Sequence, residues 1–254
     1  MATDLSPVRL LIDEPAAGAW NMAADELLGR QVEEGGPATL RFYRWQPATL
    51  SLGYFQGIAE RESHPASAGC AVVRRQSGGG AILHDAELTY SYAAPSRGTT
   101  DRAARDLYLA FHETLIEALA SFGIAAEICG DARCAAACVA HPSFMCFSRR
   151  AREDLLVGEH KIAGSAQRRQ RRALIQHGSI LLAASPYAPE LPGLLELGAS
   201  QQLSSQSLIE AWLPQLSARL ELAFAPSSWS TAEEVQIEQL AAERYASDEW
   251  TRRR

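Results

Sequence analysis

The stretch Asp154-Leu155-Leu156-Val157-Gly158-Glu159-His160-Lys161-Ile162-Ala163-Gly164-Ser165-Ala166-Gln167 reads as two short strands about a turn at Gly158. A third strand, residues 173–182, follows the basic run Arg168-Arg169-Gln170-Arg171-Arg172. Consecutive strands joined by short turns form an antiparallel group. Further strands are expected at 8–13, 38–43, 49–53, 71–75, 88–93 and 125–129, and helices over 21–31, 102–122, 208–222 and 232–247. The second helix sets Leu107, Phe111, Leu115 and Leu119 at helical spacing and stops at Gly123. Strands and helices mix without regular βαβ alternation, so the fold class is α+β, with mixed and antiparallel sheets flanked by helices. At 254 residues the chain has room for one large domain or two small ones, and no internal repeat or low-complexity linker divides it.

The same stretch holds the only lysine. Lysine and arginine together number 24, and Lys161 is the single lysine among them. Where a surface charge is written as Arg almost everywhere, a lone Lys is a candidate for a task a guanidinium cannot perform. An ammonium is compact, rotates its donors about one point and can lose its proton when desolvated. Lys161 opens a run of small residues, where a backbone can approach a ligand closely. The competing reading is a surface lysine left by drift.

Composition excludes several classes. The net charge of −6 gives no bulk basic character for nucleic-acid binding. The N-terminal residues lack the charged start and apolar core of a secretory signal, and no apolar run approaches the ~20 residues that span a bilayer. Five cysteines, an odd number, point to free thiols in a reducing compartment, so the expected address is the cytoplasm. Cys129, Cys134, Cys138 and His141 are spaced unlike the usual zinc patterns; they read as a loop with spare thiols, and no metal site is expected.

Three blocks could carry chemistry. In Arg74-Arg75-Gln76-Ser77-Gly78-Gly79-Gly80-Ala81-Ile82-Leu83-His84-Asp85 the glycines can curl around a ligand and offer N–H groups to an oxyanion, and the two arginines could fork a phosphate. The spacing fits neither a Walker A loop nor a dinucleotide fingerprint. A glycine-rich hairpin turn with a structural His84 is the plainer alternative. The second block pairs Cys146, in Ser143-Phe144-Met145-Cys146-Phe147, with Lys161. A nearby cation favours the reactive thiolate, and an ammonium can exchange protons during acyl transfer. An inert buried thiol is the alternative. The third is Gln176-His177-Gly178-Ser179-Ile180, a polar patch entering an apolar strand.

Taken in order, these blocks are joined by Trp20-Asn21-Met22-Ala23-Ala24-Asp25, Pro47-Ala48-Thr49-Leu50-Ser51-Leu52-Gly53-Tyr54-Phe55-Gln56, Glu87-Leu88-Thr89-Tyr90-Ser91 and a tail with Tyr245 and Asp248-Glu249-Trp250. The chain thereby resembles the biotin/lipoate protein ligase superfamily, in particular its octanoyltransferase branch with a mid-chain cysteine. The resemblance spans most of the chain and implies one catalytic domain over 1–254.

It further implies transfer of octanoyl from acyl carrier protein to a lysine of a lipoyl domain, such as the glycine cleavage H protein. Cys146 would carry the acyl group as a thioester, with Lys161 as its partner. Arg74, Arg75, Ser77, Gly78, Gly79, Gly80, Gly164, Ser165 and Ala166 would line the substrate site, with His84 and His177 orienting the carbonyl or the incoming amine. No cofactor is implied, and no nucleic acid or membrane partner.

The alternatives within the superfamily are an ATP-dependent lipoate or octanoate ligase, in which Cys146 is incidental, and an amidotransferase between lipoyl domains. A carrier-docking module with a dead site is the non-enzymatic alternative. Ala86-Glu87-Leu88-Thr89 stands where ligases tend to read Gly-Asn-Leu-Asn, which favours the transferase branch. Glu153-Asp154 and Gly158-Glu159-His160 depart from the family's usual pattern and are read as surface variation. The Arg168–Arg172 run is a candidate docking patch for an acidic carrier, or a solvated turn.

Overall fold

The computed structural model describes residues 5–96, 100–131 and 143–254. The strands, in chain order, are β1 (Ser6–Ile12), β2 (Thr39–Tyr43), β3 (Thr49–Leu52), β4 (Ala71–Arg74), β5 (Ile82–His84) and β6 (Glu87–Pro95). They continue with β7 (Glu127–Ile128), β8 (Leu155–Val157), β9 (His160–Arg169), β10 (Ala173–Leu181) and β11 (Leu222–Pro226). The helices are α1 (Gly18–Glu33), α2 (Asp101–Ala120), α3 (Ser205–Leu220), α4 (Thr231–Leu240) and α5 (Asp248–Thr251).

Eight strands form one sheet in the order β11-β1-β2-β6-β10-β9-β8-β7, and β4-β3-β5 form a second. Pairing is parallel for β11-β1, β1-β2 and β3-β4 and antiparallel elsewhere, so the sheets are mixed and the α+β class holds.

The large sheet has two chemically different faces because side chains alternate along each strand. Leu40 and Phe42 of β2, with Leu88, Tyr90 and Tyr92 of β6, join Phe111, Leu115 and Leu119 of α2 and Trp212 of α3 in the main apolar core. Tyr90 stacks on Phe111 at 5.0 Å, and Trp212 meets both rings edge-on. The intervening residues turn to the other face. There Arg41 and Ser91 bond Asp25 of α1 at 2.8 Å each, and the Tyr43 hydroxyl donates to the same carboxylate at 2.7 Å. This second face is polar, and it is where the small sheet and α1 enclose a pocket.

Two strands went unread in the sequence. The helix expected over 208–222 ends earlier because Glu221 takes a left-handed conformation, with φ +54°. The chain then reverses into β11, which pairs with the edge of β1. β5 is too short for a period of two to register, and its pairing with β3 decides it. The helix expected over 232–247 is α4 followed by one wide π turn at Ala241–Tyr245, after which Ser247 caps α5. Cys134, Cys138 and His141 lie outside the described residues. Among those described, no cluster of metal-ligating side chains occurs and no helix is long and apolar enough to cross a membrane.

A buried polar chain ties α2 to the sheet. Gln176 Nε2 donates to the Tyr90 hydroxyl, and that hydroxyl and His112 Nε2 both meet Ser165 Oγ, each contact at 2.8 Å. His112 Nδ1 donates to the Glu153 carbonyl at 2.6 Å, which leaves Nε2 of the neutral ring as acceptor from Ser165. Burial pushes His112 down to about 4, with the Glu153 carbonyl opposing and Lys161 adding to the fall.

The unfolded chain therefore takes up a proton near pH 6.5 that the folded one refuses until about pH 4, so stability falls as pH drops through this window. Urea unfolding should show wild type losing about 2–3 kcal/mol more than His112→Gln between pH 7 and pH 4.5. Parallel pH profiles for the two proteins would contradict the assignment.

Candidate active site

The glycine block and the cysteine block, far apart in sequence, are one structure. The Ala81 N–H donates to the Phe144 carbonyl at 3.0 Å, and the Cys146 N–H donates to the Ala81 carbonyl at 2.7 Å. Gly80 faces this junction: a Cβ placed there would stand 3.0 Å from both Cys146 Cα and N. Gly53 is equally constrained, since a Cβ there would lie 2.0 Å from the Gly79 carbonyl oxygen. The glycines thus serve close backbone packing that presents Cys146 on a short 3₁₀ turn, Cys146–Ser148.

Arg75 knots this turn. Its Nη1 donates to the Ser51 carbonyl at 2.5 Å and to Ser51 Oγ at 2.6 Å, and its Nη2 donates to the Gly80 carbonyl at 2.8 Å and the Gly78 carbonyl at 3.2 Å. Burial pushes the guanidinium down to about 10, opposed by Cys146 and Tyr43, and it remains cationic at neutral pH. Arg74 is not brought to the pocket. Its donors reach the Gly53, Gln56 and Thr251 carbonyls, so it clasps α5 to the small sheet rather than a ligand.

Lys161 arrives from the opposite side, on β9. Opposite it the register slips: Leu155 pairs with Ala163 but the next residue, Leu156, pairs with Lys161. Ile162 is the extra residue of a β-bulge, which re-aims the side chain before it. Lys161 and Gly164, an odd number of positions apart, then share a face. A Cβ on Gly164 would stand 2.8 Å from Lys161 Nζ and 2.6 Å from its Cε, so only glycine leaves room for the ammonium.

The Lys161 Nζ donates to Cys146 Sγ at 3.6 Å and to Asp154 Oδ2 at 2.8 Å. The Lys161 and Asp154 side chains are 4% and 2% exposed, and Asp154 also accepts from the Ala151 N–H at 2.5 Å. Burial alone would lower the lysine, but the Cys146 and Asp154 charges outweigh it and hold the ammonium above its ordinary value. Asp154, read from the sequence as surface variation, is instead the buried counterion of the only lysine. Gly158, Glu159 and His160 are exposed, as that reading expected. A carboxylate in a short charged stretch gives no signal of burial by itself; the bulge and the Ala151 turn bury it.

The pocket above this pair is lined by Trp45, Arg75, His84, Ala166, His177 and Ser179, among others. His84 stacks on Trp45 at 3.8 Å and contacts Ser51 Oγ at 2.7 Å and Glu87 at 3.4 Å. His177 contacts Ser77 Oγ at 2.7 Å. Desolvation lowers both imidazoles, His177 to about 4, and keeps them neutral at pH 7. A second pocket shares Met22, Ala166 and His177 with the first and runs on past Glu26, Gln76 and Tyr245. Gly164, Ser165, Ala166, Gly178 and Ser179 of β9 and β10 leave the width of the first pocket, whereas the second meets Arg168 and Ile175 on those strands. The tail completes the wall: the Tyr245 hydroxyl donates to Glu26 at 2.6 Å, Gln76 Nε2 donates to that hydroxyl at 2.6 Å, and Trp250 Nε1 donates to the Arg74 carbonyl at 3.0 Å.

Residues 17–195 match the family model of the lipoyl protein ligase A/B catalytic domain. Among curated relatives, octanoyltransferase LipM of Brevibacillus brevis is 32% identical over 97% of this chain and 99% of its own, and that of Kyrpidia tusciae 33% over 97% and 98%. Octanoyltransferase LipM of Bacillus subtilis is 31% identical over 94% and 95%. Among solved structures, lipoate-protein ligase A bound with ATP superposes with a TM-score of 0.76 at 23% identity, covering 97% of this chain and 98% of that one. The bipartite lipoate protein ligase of Thermoplasma acidophilum gives 0.75 at 22%, covering 97% and 96%. The chain belongs to the lipoyl protein ligase A/B catalytic-domain family, and the relatives it matches along nearly their whole length are octanoyltransferases.

Proposed function

We propose that this protein is an octanoyl-carrier-protein:protein N-octanoyltransferase that works through an acyl-thioester on Cys146, with glycine cleavage H protein as the acceptor and the cytoplasm as the place of work. The observation that carries the reading is the Lys161 ammonium set between Cys146 Sγ and the buried Asp154 carboxylate.

In the first half-reaction the Cys146 thiolate attacks the thioester carbonyl of octanoyl carrier protein. The tetrahedral intermediate collapses, the bond to the pantetheine sulfur breaks, and Lys161 gives its proton to the departing thiolate. Acylation removes the Cys146 anion, one of the two charges that hold the Lys161 proton, so this donation is favoured at the moment it is needed. In the second half-reaction the lipoyl-domain lysine attacks the acyl-enzyme as a free amine. Neutral Lys161 takes the proton lost by the incoming nitrogen, the C–S bond breaks, and thiolate and ammonium are restored. Asp154 keeps Nζ in place throughout. The thioester supplies the driving force, so the cycle needs neither ATP nor any other cofactor.

Mixing the protein with octanoyl carrier protein, without acceptor or ATP, should give one octanoyl adduct by intact mass, located on Cys146 by peptide mapping. Cys146→Ala should lose both adduct and transfer. Transfer at the wild-type rate by Cys146→Ala, or efficient modification of a lipoyl domain from free octanoate and ATP, would point instead to a ligase.

Lys161→Arg should lower transfer by ~10²-fold or more, since a guanidinium neither fits against Gly164 nor gives up its proton. Lys161→Ala and Asp154→Asn should both slow alkylation of Cys146 at pH 7, because the cation that favours the thiolate is removed or left unanchored. Near wild-type transfer in Lys161→Arg, with unchanged alkylation in the other two, would make the only lysine an accident of composition.

A further inference from the structure

Net charge sets a problem for a protein that receives an acidic carrier. The chain carries −6, so an acidic partner is repelled at a distance unless the charge is locally reversed near the site. Arg253 and Arg254 supply a local positive pair beside the exposed Glu249 of the same segment. Neither has a carboxylate partner among the described residues, whereas Arg252 beside them pairs with Asp248 at 3.1 Å. Both instead lie over aromatic rings: Arg253 over Tyr54 at 4.5 Å and Trp250 at 4.8 Å, and Arg254 over Phe55 at 5.3 Å. Phe55 is 69% exposed, the most open large apolar side chain among the described residues. The Arg254 main-chain oxygen accepts from the Ile58 N–H at 3.0 Å, so this segment is tied to the turn that bears Phe55. The two guanidiniums are felt inward: burial lowers Arg74 first, Arg253 and Arg254 lower it further, and Glu60 opposes them.

The platform adjoins the nucleophile. The Tyr54 N–H donates to the Ser77 carbonyl at 2.8 Å, and a Cβ on Gly78 would touch the Phe55 ring at 3.8 Å. Gly80, two residues on, packs against the Cys146 backbone. Gln56 Nε2 donates to the Phe144 carbonyl at 3.2 Å, on the segment that leads into Cys146. The other basic cluster, at the β9–β10 turn, is placed differently. Arg168 lines the second pocket, but Arg169 already pairs with Asp101 at 2.6 Å, and eight residues of β9, 161 to 169, at ~3.3 Å each set Arg169 and the turn beyond it roughly 26 Å along the strand from Lys161.

We propose that Arg253 and Arg254, on the Tyr54–Phe55–Trp250 platform, form the docking surface for the acidic acyl carrier that donates the octanoyl group. The assignment rests on the octanoyltransferase reading and deepens it. The donor is favoured over the acceptor because it brings a phosphodiester beside its carboxylates, and guanidinium forks match phosphate as well as carboxylate geometry. Phe55 supplies the apolar contact at the centre of a charged rim, the usual anatomy of an interface.

The test compares two acyl donors, octanoyl carrier protein and octanoyl-pantetheine, which has neither the carrier fold nor the phosphate. With R253E/R254E, KM for the carrier should rise at least ~10-fold and its salt dependence should weaken, while the acylation rate from octanoyl-pantetheine and the KM for the lipoyl acceptor stay within about twofold. R171E/R172E should leave the carrier KM within about twofold. An unchanged carrier KM in R253E/R254E, or a rise confined to the acceptor, or a larger effect from R171E/R172E, would overturn the assignment. Octanoyl-pantetheine separates this from the underlying reading: if it leaves no adduct on Cys146 of the wild type, the thioester mechanism itself fails, whatever the docking surface does.

Discussion

The site depends on one buried contact, the Lys161 ammonium held at 2.8 Å by Asp154 and presented at 3.6 Å to Cys146 Sγ. Taking two charges out of water is costly, and a buried pair seldom adds net stability over apolar packing. What this arrangement gains is placement. The bulge at Ile162 turns Lys161 toward the pocket, Gly164 leaves the space for it, and the Ala151 turn fixes Asp154 from behind. Arginine fills every other lysine-or-arginine position in the chain. Its flat fork is used here for carbonyl cages, as Arg74 and Arg75 show, and a guanidinium is neither as compact a donor as an ammonium nor able to release its proton.

The rest of the fold brings three distant segments to this contact. The small sheet positions the glycine turn, the bridge between Ala81 and Met145 attaches the cysteine to that turn, and the bulged end of β9 delivers the lysine. The polar face of the large sheet, with its buried Arg41–Asp25 pair, holds α1 and borders two adjoining pockets, the first of them lined in part by Gly164, Ser165, Ala166 and Gly178. The tail lines the far wall with Tyr245 and is tied to the small sheet by Trp250, so the residues after β10 belong to the site as well as to the core.

Much of this was legible in the residues. The long apolar spacing of α2, the three antiparallel strands from residue 155 onward and the odd chemistry of a single lysine all declare themselves through local pattern. The roles of the glycines were legible only in outline. Small residues signal close approach, yet Gly80 makes room for the Cys146 backbone and Gly164 for an ammonium, and no spacing rule separates the two. Arg74 and Arg75 read alike as phosphate forks, but one clasps the tail and the other knots the glycine turn. Asp154 and β11 were illegible for a shared reason: each is fixed by a long-range partner, the Lys161 ammonium and the edge of β1, and nothing in their own neighbourhoods announces it.

The central claim is that octanoyl passes through Cys146 while Lys161 moves the proton. A single-turnover experiment reaches it most directly: labelled octanoyl carrier protein, excess enzyme and a lipoyl-domain acceptor, quenched on the millisecond-to-second scale. The account predicts label first on Cys146, then on the acceptor lysine, with the decay of one matching the rise of the other and no slower than steady-state turnover. Label reaching the acceptor without ever residing on Cys146, or residing there and leaving too slowly to account for turnover, would contradict it.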